Sequence, residues 1–211
     1  MYVRFGKRIC DIIIGLVALP FVLLIIAVLA PIIKHEDGGP VFYNAPRVGK
    51  DGVDFKMYKL RSMRVNAPDL VMEDGSTYNG ADDPRMTKIG AFMRKTSLDE
   101  LPQIYNILAG QMSIIGPRPA LYNQYDLIDA RDKVHANDIR PGLTGLAQIN
   151  GRDELPIDVK AKYDGEYAAH LTFGMDLKIF FHSFSYVFQR RGVVEGGTGS
   201  IQEPNKQKPS N

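Results

Sequence analysis

An uncharged apolar run at residues 12–33, IIIGLVALPFVLLIIAVLAPII, constrains this chain more than any other feature. As a helix, the run is long enough to cross a bilayer core of about 30 Å. It exceeds the apolar core of a typical secretory signal, and no small-residue cleavage site stands clear of the prolines after Ala30. The sequence therefore predicts a membrane segment at the front of the chain.

Two arrangements of this segment are compatible with its residues. Pro20 lies inside the run, where proline removes a helical hydrogen bond and usually bends the helix. Basic residues flank both ends, with Arg4, Lys7 and Arg8 before the run and Lys34 after it, and such residues prefer the cytoplasmic side. A bent helix that re-enters the same leaflet satisfies both observations. Prolines are also tolerated in spanning helices, so the residues favour re-entry only slightly over crossing.

The 211-residue chain is long enough for one domain with its own core beyond the apolar run. The single Cys10 permits no internal disulfide, as in a reducing compartment. The net charge of +2 decides little, but a basic cluster follows the apolar run. Such a cluster is typical of a surface near anionic groups, or simply of a solvated face. Its members are Arg47, Lys50, Lys56, Lys59, Arg61 and Arg64.

Alternation and helical spacing predict the elements of this domain. Residues 41–63 alternate as a hairpin that turns at residues 50–52, with Lys59 and Arg61 on one face of the second strand. Helices are predicted at residues 88–95, 98–108, 122–138, 157–170 and 176–191. The last of these is rich in Phe and fits either a membrane interface or the core. Residues 64–85 are predicted to form a polar loop, and residues 192–211 a disordered tail.

Two adjacent carboxylates, Asp99 and Glu100, precede an apolar-periodic segment and are the central candidates for chemistry. The positive end of a helix keeps a carboxylate ionised and lets a phosphate approach it. Ser97 and Glu100 also match a capping box, and on the pair alone this purely structural role is favoured. Pro102 would suit Asp99 as the cap nearly as well.

Three further patterns carry weaker signals. Arg118 lies between two prolines, and a guanidinium on such a stiff loop suits a phosphate, although an exposed arginine in a rigid turn is equally compatible. The glycine-rich stretch at residues 140–152 offers backbone donors and two arginines but matches neither phosphate-binding fingerprint. Asp164 and Tyr167 are three residues apart, and hence on one side of their predicted helix.

Six ordered blocks together resemble the monotopic phosphoglycosyl transferases, the bacterial sugar transferase family, in its minimal single-domain form. The resemblance extends from residue 2 to about residue 191. The blocks are KRICD before the apolar run, FKMYKLRSM, RKTSLDELPQ, MSIIGPRP, RPGLTGLAQINGR, and YDGEY followed by DLKIFF. Each block is weak alone, but their order makes the combination specific.

The resemblance implies an α+β fold in three parts. Residues 1–36 would form a re-entrant membrane helix with basic flanks, and residues 37–191 a catalytic domain on the cytoplasmic face of the bacterial inner membrane. That domain would contain a small β-hairpin, many helices and interfacial amphipathic helices. Residues 192–211 would be a disordered tail.

The implied activity is transfer of a sugar 1-phosphate from a UDP-sugar to undecaprenyl phosphate, giving undecaprenyl-diphosphate-sugar and UMP. This would be the first membrane step of a bacterial glycoconjugate pathway. By the family pattern, Asp99 is the nucleophile that forms an aspartyl-phosphosugar, and Glu100 binds Mg²⁺. The remaining catalytic positions are Lys59, Arg94, Arg118 and Asp164, and the substrate-binding positions are Arg118, Arg140, Gln148 and Arg152. The implied partners are the two substrates and the lipid bilayer but no nucleic acid, with a homodimer left open.

Two other functions are compatible with parts of the sequence. A membrane-tethered docking protein would gather glycan-assembly enzymes through the basic surface, and it would tolerate replacement of both Asp99 and Glu100. A lipid diphosphate phosphatase would release inorganic phosphate and ignore UDP-sugars. The transferase is favoured by the acid pair, its basic partners and the six blocks. No side chain in the sequence indicates which sugar is transferred.

Overall fold

Two small sheets and a set of helices form an α+β fold, as the sequence predicts. The computed structural model describes residues 2–68, 70, 83–151 and 155–189, with side chains up to residue 183. Within this part of the chain, the helices are α1 Lys7–Asp37, α2 Lys88–Lys95, α3 Gln103–Ala109, α4 Tyr125–Asp132, α5 Leu146–Ile149, α6 Ile157–Ala169 and α7 Phe173–Gln189. The strands there are β1 Phe42–Val48, β2 Asp54–Leu60, β3 Ser113–Ile115 and β4 Gly142–Thr144. The predicted loop at 64–85 is described only at its two ends, and the predicted tail lies outside the described residues.

Helix α1 contains the apolar run and continues through both Pro20 and Pro31. It ends at Gly38, whose left-handed backbone (φ 74°) lets its N–H donate to the carbonyl of Lys34. One face packs on the rest of the chain through Asp11, Gly15, Val22, Ile26, Leu29 and Ile33. The other face exposes large apolar side chains, among them Leu16, Phe21, Leu24 and Val28. By length and composition α1 could cross a membrane, and its exposed face suits lipid better than water.

The beginning of α1 is bound to the globular part of the protein by charged groups. The guanidinium of Arg8 donates to the last carbonyls of α3, one of them that of Leu108 at 2.8 Å. The carboxylate of Asp11 accepts from the Ser113 hydroxyl and the Ile114 N–H, both at 3.0 Å. The Arg8 contacts satisfy carbonyls that the end of α3 leaves unpaired. The Asp11 contacts attach α1 to β3.

The end of α1 is bound to the same globular part. Arg61 donates to Asp37 over 2.6 Å, and this hydrogen bond lowers the pKa of Asp37 to about 2. The carboxylate of Glu36 accepts from the N–H groups of Lys88 at 2.6 Å and Ile89 at 3.3 Å, where α2 begins. Both ends of the apolar helix are therefore attached to one folded unit.

The hairpin that the sequence predicts at residues 50–52 is confirmed. Strands β1 and β2 pair antiparallel along their whole length, and Asp51 between them adopts a left-handed backbone (φ 55°). Lys59 and Arg61, which were expected on one face of the second strand, do not act together in the structure, because their side chains bind different partners. Lys59 donates to Glu100, whereas Arg61 lies just beyond β2 and donates to Asp37.

Close backbone packing explains two of the three glycines in the stretch at 140–152. Strand β4 runs parallel to β3, and a Cβ on Gly142 would lie 2.1 Å from the backbone nitrogen of Gly116. A Cβ on Gly145 would lie 2.1 Å from the carbonyl oxygen of Gly116. These glycines therefore allow the segment to pack against the loop that carries Arg118, which accounts for them without a phosphate cradle.

The predicted helices after β3 agree with the structure in position better than in extent. The helix expected at 122–138 is wrong in length, because α4 ends at Asp132 and His135 adopts a left-handed backbone (φ 58°) before a short 3₁₀ turn. Helix α6 is confirmed within one residue. Helix α7 begins at Phe173, and its buried Ile179 packs in the core while Phe173 and Phe181 are exposed.

Candidate functional site

The acid pair lies in a short 3₁₀ turn, Leu98–Glu100, rather than in the first turn of α3. Ser97 before it has a left-handed backbone (φ 56°, ψ 21°), and its side chain makes no capping hydrogen bond. The capping box suggested by the sequence is therefore wrong. A non-glycine residue in this conformation costs roughly 1–3 kcal/mol, and such strain is typical of functional turns.

Two cations from separate elements surround the carboxylate of Glu100. Lys59 Nζ, at the end of β2, donates to Glu100 Oε1 over 2.8 Å. Arg118, in the loop after β3, donates to the same oxygen over 2.7 Å and lies 3.4 Å from Oε2. The side chains of Lys59 and Glu100 are each 14% exposed and that of Arg118 27%, so the cluster is largely shielded from water.

Burial and charge act in opposite directions on Glu100. Burial alone would raise its pKa, but the charges of Arg118 and Lys59 and their hydrogen bonds together outweigh burial. The pKa of Glu100 is therefore held well below its ordinary value of 4.5. The carboxylate stays ionised throughout the neutral and mildly acidic range.

Asp99 occupies the middle of the same turn and is only 5% exposed. A carboxylate at this position sits beside the Glu100 cluster but out of bulk water. Such a group can act as a nucleophile towards phosphorus when cations neutralise the phosphate it meets. The structure thus brings Asp99, Glu100, Lys59 and Arg118 together, as the resemblance implies.

Arg94 reaches the neighbourhood of the acid turn from the last turn of α2. Its Nε donates to the hydroxyl of Ser62 over 3.0 Å. Helix α2 can come this close to Ser62 because residue 90 is glycine, where a Cβ would lie 1.9 Å from the Ser62 carbonyl oxygen. The side chain thereby links the last turn of α2 to the segment that follows β2, and its charge also helps to lower the pKa of Asp83.

Asp164 belongs to a second charged group. It is 1% exposed, and its Oδ2 accepts from Nη2 and Nε of Arg131 over 2.6 and 2.8 Å. Burial raises the pKa of Asp164, and the guanidinium of Arg131 opposes this effect. Arg131 was not among the residues that the sequence suggested. Its only signal is the spacing of four from Leu127, which puts both on the buried face of α4.

The residues expected to contact substrate are more dispersed. Arg140 is exposed, and its Nε donates to the carbonyl of Gly110 over 2.8 Å, at the far end of α3 from Glu100. Gln148 is 8% exposed, and no atom within the described residues forms a hydrogen bond with its amide. Arg152 lies outside the described residues.

The donor set at the acid turn is compatible with a magnesium ion. Among the described residues, no three His, Cys, Asp or Glu side chains cluster as a metal cage. Mg²⁺ commonly takes only one or two protein carboxylates and obtains its other ligands from water and substrate phosphates. Asp99 and Glu100 supply such oxygens, so the residues present fit this ion.

An apolar helix that is attached at both ends to a domain with a largely buried acid pair and two cations defines a class: a membrane-associated protein with a site for a phosphate-bearing substrate. Comparison with known families narrows this class, because the pattern of the bacterial sugar transferases matches residues 2–190. The chain therefore belongs to the bacterial sugar transferase family. The predicted family and the predicted enzyme class, a phosphoglycosyl transferase, are confirmed.

Individual relatives cover most of this chain. The exopolysaccharide production protein ExoY of Rhizobium meliloti is 39% identical in an alignment 203 positions long, which covers 89% of this chain and 87% of that protein. The undecaprenyl-phosphate galactose phosphotransferase of Salmonella typhimurium is 34% identical, over 90% of this chain and 42% of that protein. The UDP-glucose:undecaprenyl-phosphate glucose-1-phosphate transferase of Escherichia coli is 39% identical, over 84% of this chain and 39% of that protein. The chain thus spans less than half the length of the last two relatives.

Proposed function

We propose that this protein transfers a sugar 1-phosphate from a UDP-sugar to undecaprenyl phosphate, giving undecaprenyl-diphosphate-sugar and UMP. The observation that carries the proposal is the pair of salt bridges from Lys59 and Arg118 to Glu100, the residue next to Asp99. Such a site neutralises a diphosphate and brings a carboxylate to it, which are the main requirements of phosphoryl transfer. The Salmonella and E. coli relatives are named for transfer to the same lipid.

In the first step, a carboxylate oxygen of Asp99 attacks the sugar-proximal phosphorus of the donor. A bond forms between this oxygen and phosphorus while the bond from phosphorus to the bridging oxygen breaks, and UMP leaves with the electron pair. Lys59 and Arg118 stabilise the negative charge that develops on the phosphoryl oxygens. The low exposure of Asp99 keeps bulk water away from the acyl phosphate that results.

In the second step, an oxygen of undecaprenyl phosphate attacks the same phosphorus. The bond to Asp99 breaks, the carboxylate is regenerated, and the lipid diphosphate-sugar leaves. Glu100 would hold Mg²⁺ together with the donor diphosphate, and the ion would supply further positive charge there. Arg94 and the buried amide of Gln148 are proposed to contact the donor, as are Arg140 and Arg152.

The attachment of both ends of α1 supports re-entry into one leaflet. A helix that crossed the bilayer would carry Arg8 and Asp11 to the side opposite the domain, yet both residues bind that domain. The apolar face of α1 would then dip into the leaflet, with the exposed Phe173 and Phe181 of α7 in the interface. We propose that the catalytic domain lies on the cytoplasmic face of the inner membrane, because nucleotide-sugars are made in the cytoplasm.

The test is release of UMP from a panel of UDP-sugars before any lipid acceptor is added. The wild-type protein is expected to release UMP with one donor and to retain radiolabelled sugar phosphate after rapid quenching. Asp99→Asn is expected to abolish both signals, and Asp126→Asn, which changes an exposed aspartate of α4, is expected to retain them. Full turnover by Asp99→Asn would rule out the covalent mechanism. Pathway output that survives loss of both acids would instead support the docking function.

A further inference from the structure

Two charged side chains that the proposed mechanism does not use, Arg131 and Asp164, are almost completely buried. Their exposed fractions are 4% and 1%. The Oδ2 atom of Asp164 accepts both hydrogen bonds from Arg131, and no atom of the described residues is bonded to Oδ1. Burial of an ion pair costs several kcal/mol per ion and is often no better for stability than an apolar pair. Stability alone is therefore a poor explanation for these two residues.

The third contact of Arg131 leads to the site. Its Nη1 donates to the backbone carbonyl of Arg118 over 2.9 Å. Residue 119 is proline, so the peptide group between residues 118 and 119 has no N–H. A hydrogen bond can therefore orient this peptide group only through the Arg118 carbonyl. The guanidinium is a rigid fork, and contact with Asp164 on one side therefore fixes its direction towards Arg118 on the other.

Neighbouring carbonyls of the same loop are held by backbone groups. The carbonyl of Pro117 accepts from the N–H of Gly142 over 2.8 Å, and that of Ala120 accepts from the N–H of Val48 over 3.0 Å. Arg118 lies between these two fixed points, and its own peptide is held by a side chain. Because its guanidinium reaches Glu100 over 2.7 Å, a small rotation of this peptide would move the guanidinium away from the acid pair.

Charge balance explains why the supporting group is an ion pair. Arg118 and Arg131 line the same small pocket beside the loop, and like charges on neighbouring side chains repel each other. Asp164 neutralises Arg131, so that Arg131 supports the Arg118 loop without weakening the attraction of Arg118 for a phosphate.

We propose that Arg131 and Asp164 form a positioning pair for Arg118. The pair sets the orientation of the Arg118 peptide, and Asp164 acts only through Arg131 without touching the reacting phosphate. This assignment differs from the catalytic role that the resemblance gives Asp164. It rests on the proposed function only in the choice of substrate for the assay.

The central variant combines Arg131→Met with Asp164→Leu, because an apolar pair of similar volume usually preserves the fold where a single replacement leaves a buried charge. A displacement of about 1 Å in a positioning group can cost about 100-fold in rate, so kcat of UMP release is expected to fall by about 10–100-fold. Leu127→Ala is the matched control, since Leu127 is buried one turn earlier on α4. It should lower Tm yet change kcat by less than about 3-fold, because Leu127 has no charge or hydrogen-bonding group with which to orient the Arg118 loop.

A cycle with Arg118→Met separates positioning from general support. In the Arg118→Met background the double replacement is expected to cost less than about 3-fold, because groups that act as a unit are not additive. Losses that multiply would overturn the proposal, and so would an equal loss in Leu127→Ala. Asp164→Asn keeps an acceptor for Arg131 and should cost less than about 10-fold, so a loss as complete as that of Asp99→Asn would also overturn it.

Hydrogen–deuterium exchange gives a readout that does not require turnover. The peptide that contains residues 116–121 should exchange faster in the double variant than in wild type, while the peptide of α6 distant from residue 164 and the peptide of β2 should not change. Unchanged exchange at 116–121 would refute the pair. A wild-type protein that releases no UMP would contradict the proposed function, and the exchange measurement would still decide the role of Arg131.

Discussion

Replacement of Glu100 by glutamine gives a sharp test of the charge cluster. The two contacts of 2.7 and 2.8 Å correspond to a gross attraction of about 6 kcal/mol each at an effective dielectric constant of 20. Most of this is offset because the cations regain hydration, and Arg118 is already 27% exposed. We expect a net loss of about 2 kcal/mol at pH 7, which corresponds to a decrease in Tm of about 4–8 °C for a domain of this size.

The pH dependence of this difference has a defined sign. Because the folded pKa of Glu100 is depressed, its contribution to stability is complete above its ordinary pKa of 4.5 and declines as the pH falls below that value. The Tm difference between wild type and Glu100→Gln should therefore be constant from pH 7 to about pH 5 and shrink at lower pH.

Circular dichroism of the protein in detergent micelles would measure both Tm values, since the chain has no tryptophan to report by fluorescence. Glu166→Gln, which changes an exposed glutamate of α6, is the matched control and should leave Tm within about 1 °C of wild type. A Glu100→Gln protein with unchanged Tm, or with a Tm difference that grows as the pH falls, would refute the cluster as described.

Gly142→Ala should lower Tm by at least about 4 °C, because its Cβ would meet the backbone of Gly116 at 2.1 Å; an unchanged melting curve would contradict this packing. In a Cys10→Ser background, single cysteines at Val3 and His35 should be labelled from the same side of sealed vesicles, whereas opposite accessibility would exclude re-entry. Removal of divalent ions with EDTA should decrease UMP release by at least about 100-fold and excess Mg²⁺ should restore it; full activity in EDTA would exclude the metal.

Local signals accounted for the elements whose stabilisation is itself local. The hairpin at residues 50–52 follows from its turn residues, and α6 follows from helical spacing within one stretch of chain. The capping box at Ser97 failed for the opposite reason. A capping box competes with longer-range partners, and here Lys59 and Arg118 bind the Glu100 side chain instead. The break at His135 likewise reflects a turn that the periodicity of the surrounding residues did not signal.

The site was only partly readable from the sequence. Asp99 and Glu100 stand out because two acids precede an apolar segment, and Arg118 stands out because two prolines flank it. Arg131 carries no such local mark, since a single arginine in a polar helix is usually exposed to solvent. Its burial depends on Asp164, which is 33 residues away and meets it only when α4 packs on α6.

The sequence by itself determined the apolar helix, the hairpin and the family, because composition, alternation and ordered motifs are properties of neighbouring residues. Only the tertiary structure decided which charges meet. Lys59, Glu100 and Arg118 lie on a strand, a turn and a loop, and their contacts exist because β2, α3 and β3 pack around one core. It also decided that both ends of α1 bind the same unit. The contacts at its beginning join residues 100 and 103 positions apart, and those at its end join residues 24 and 52 positions apart, which no local pattern signals.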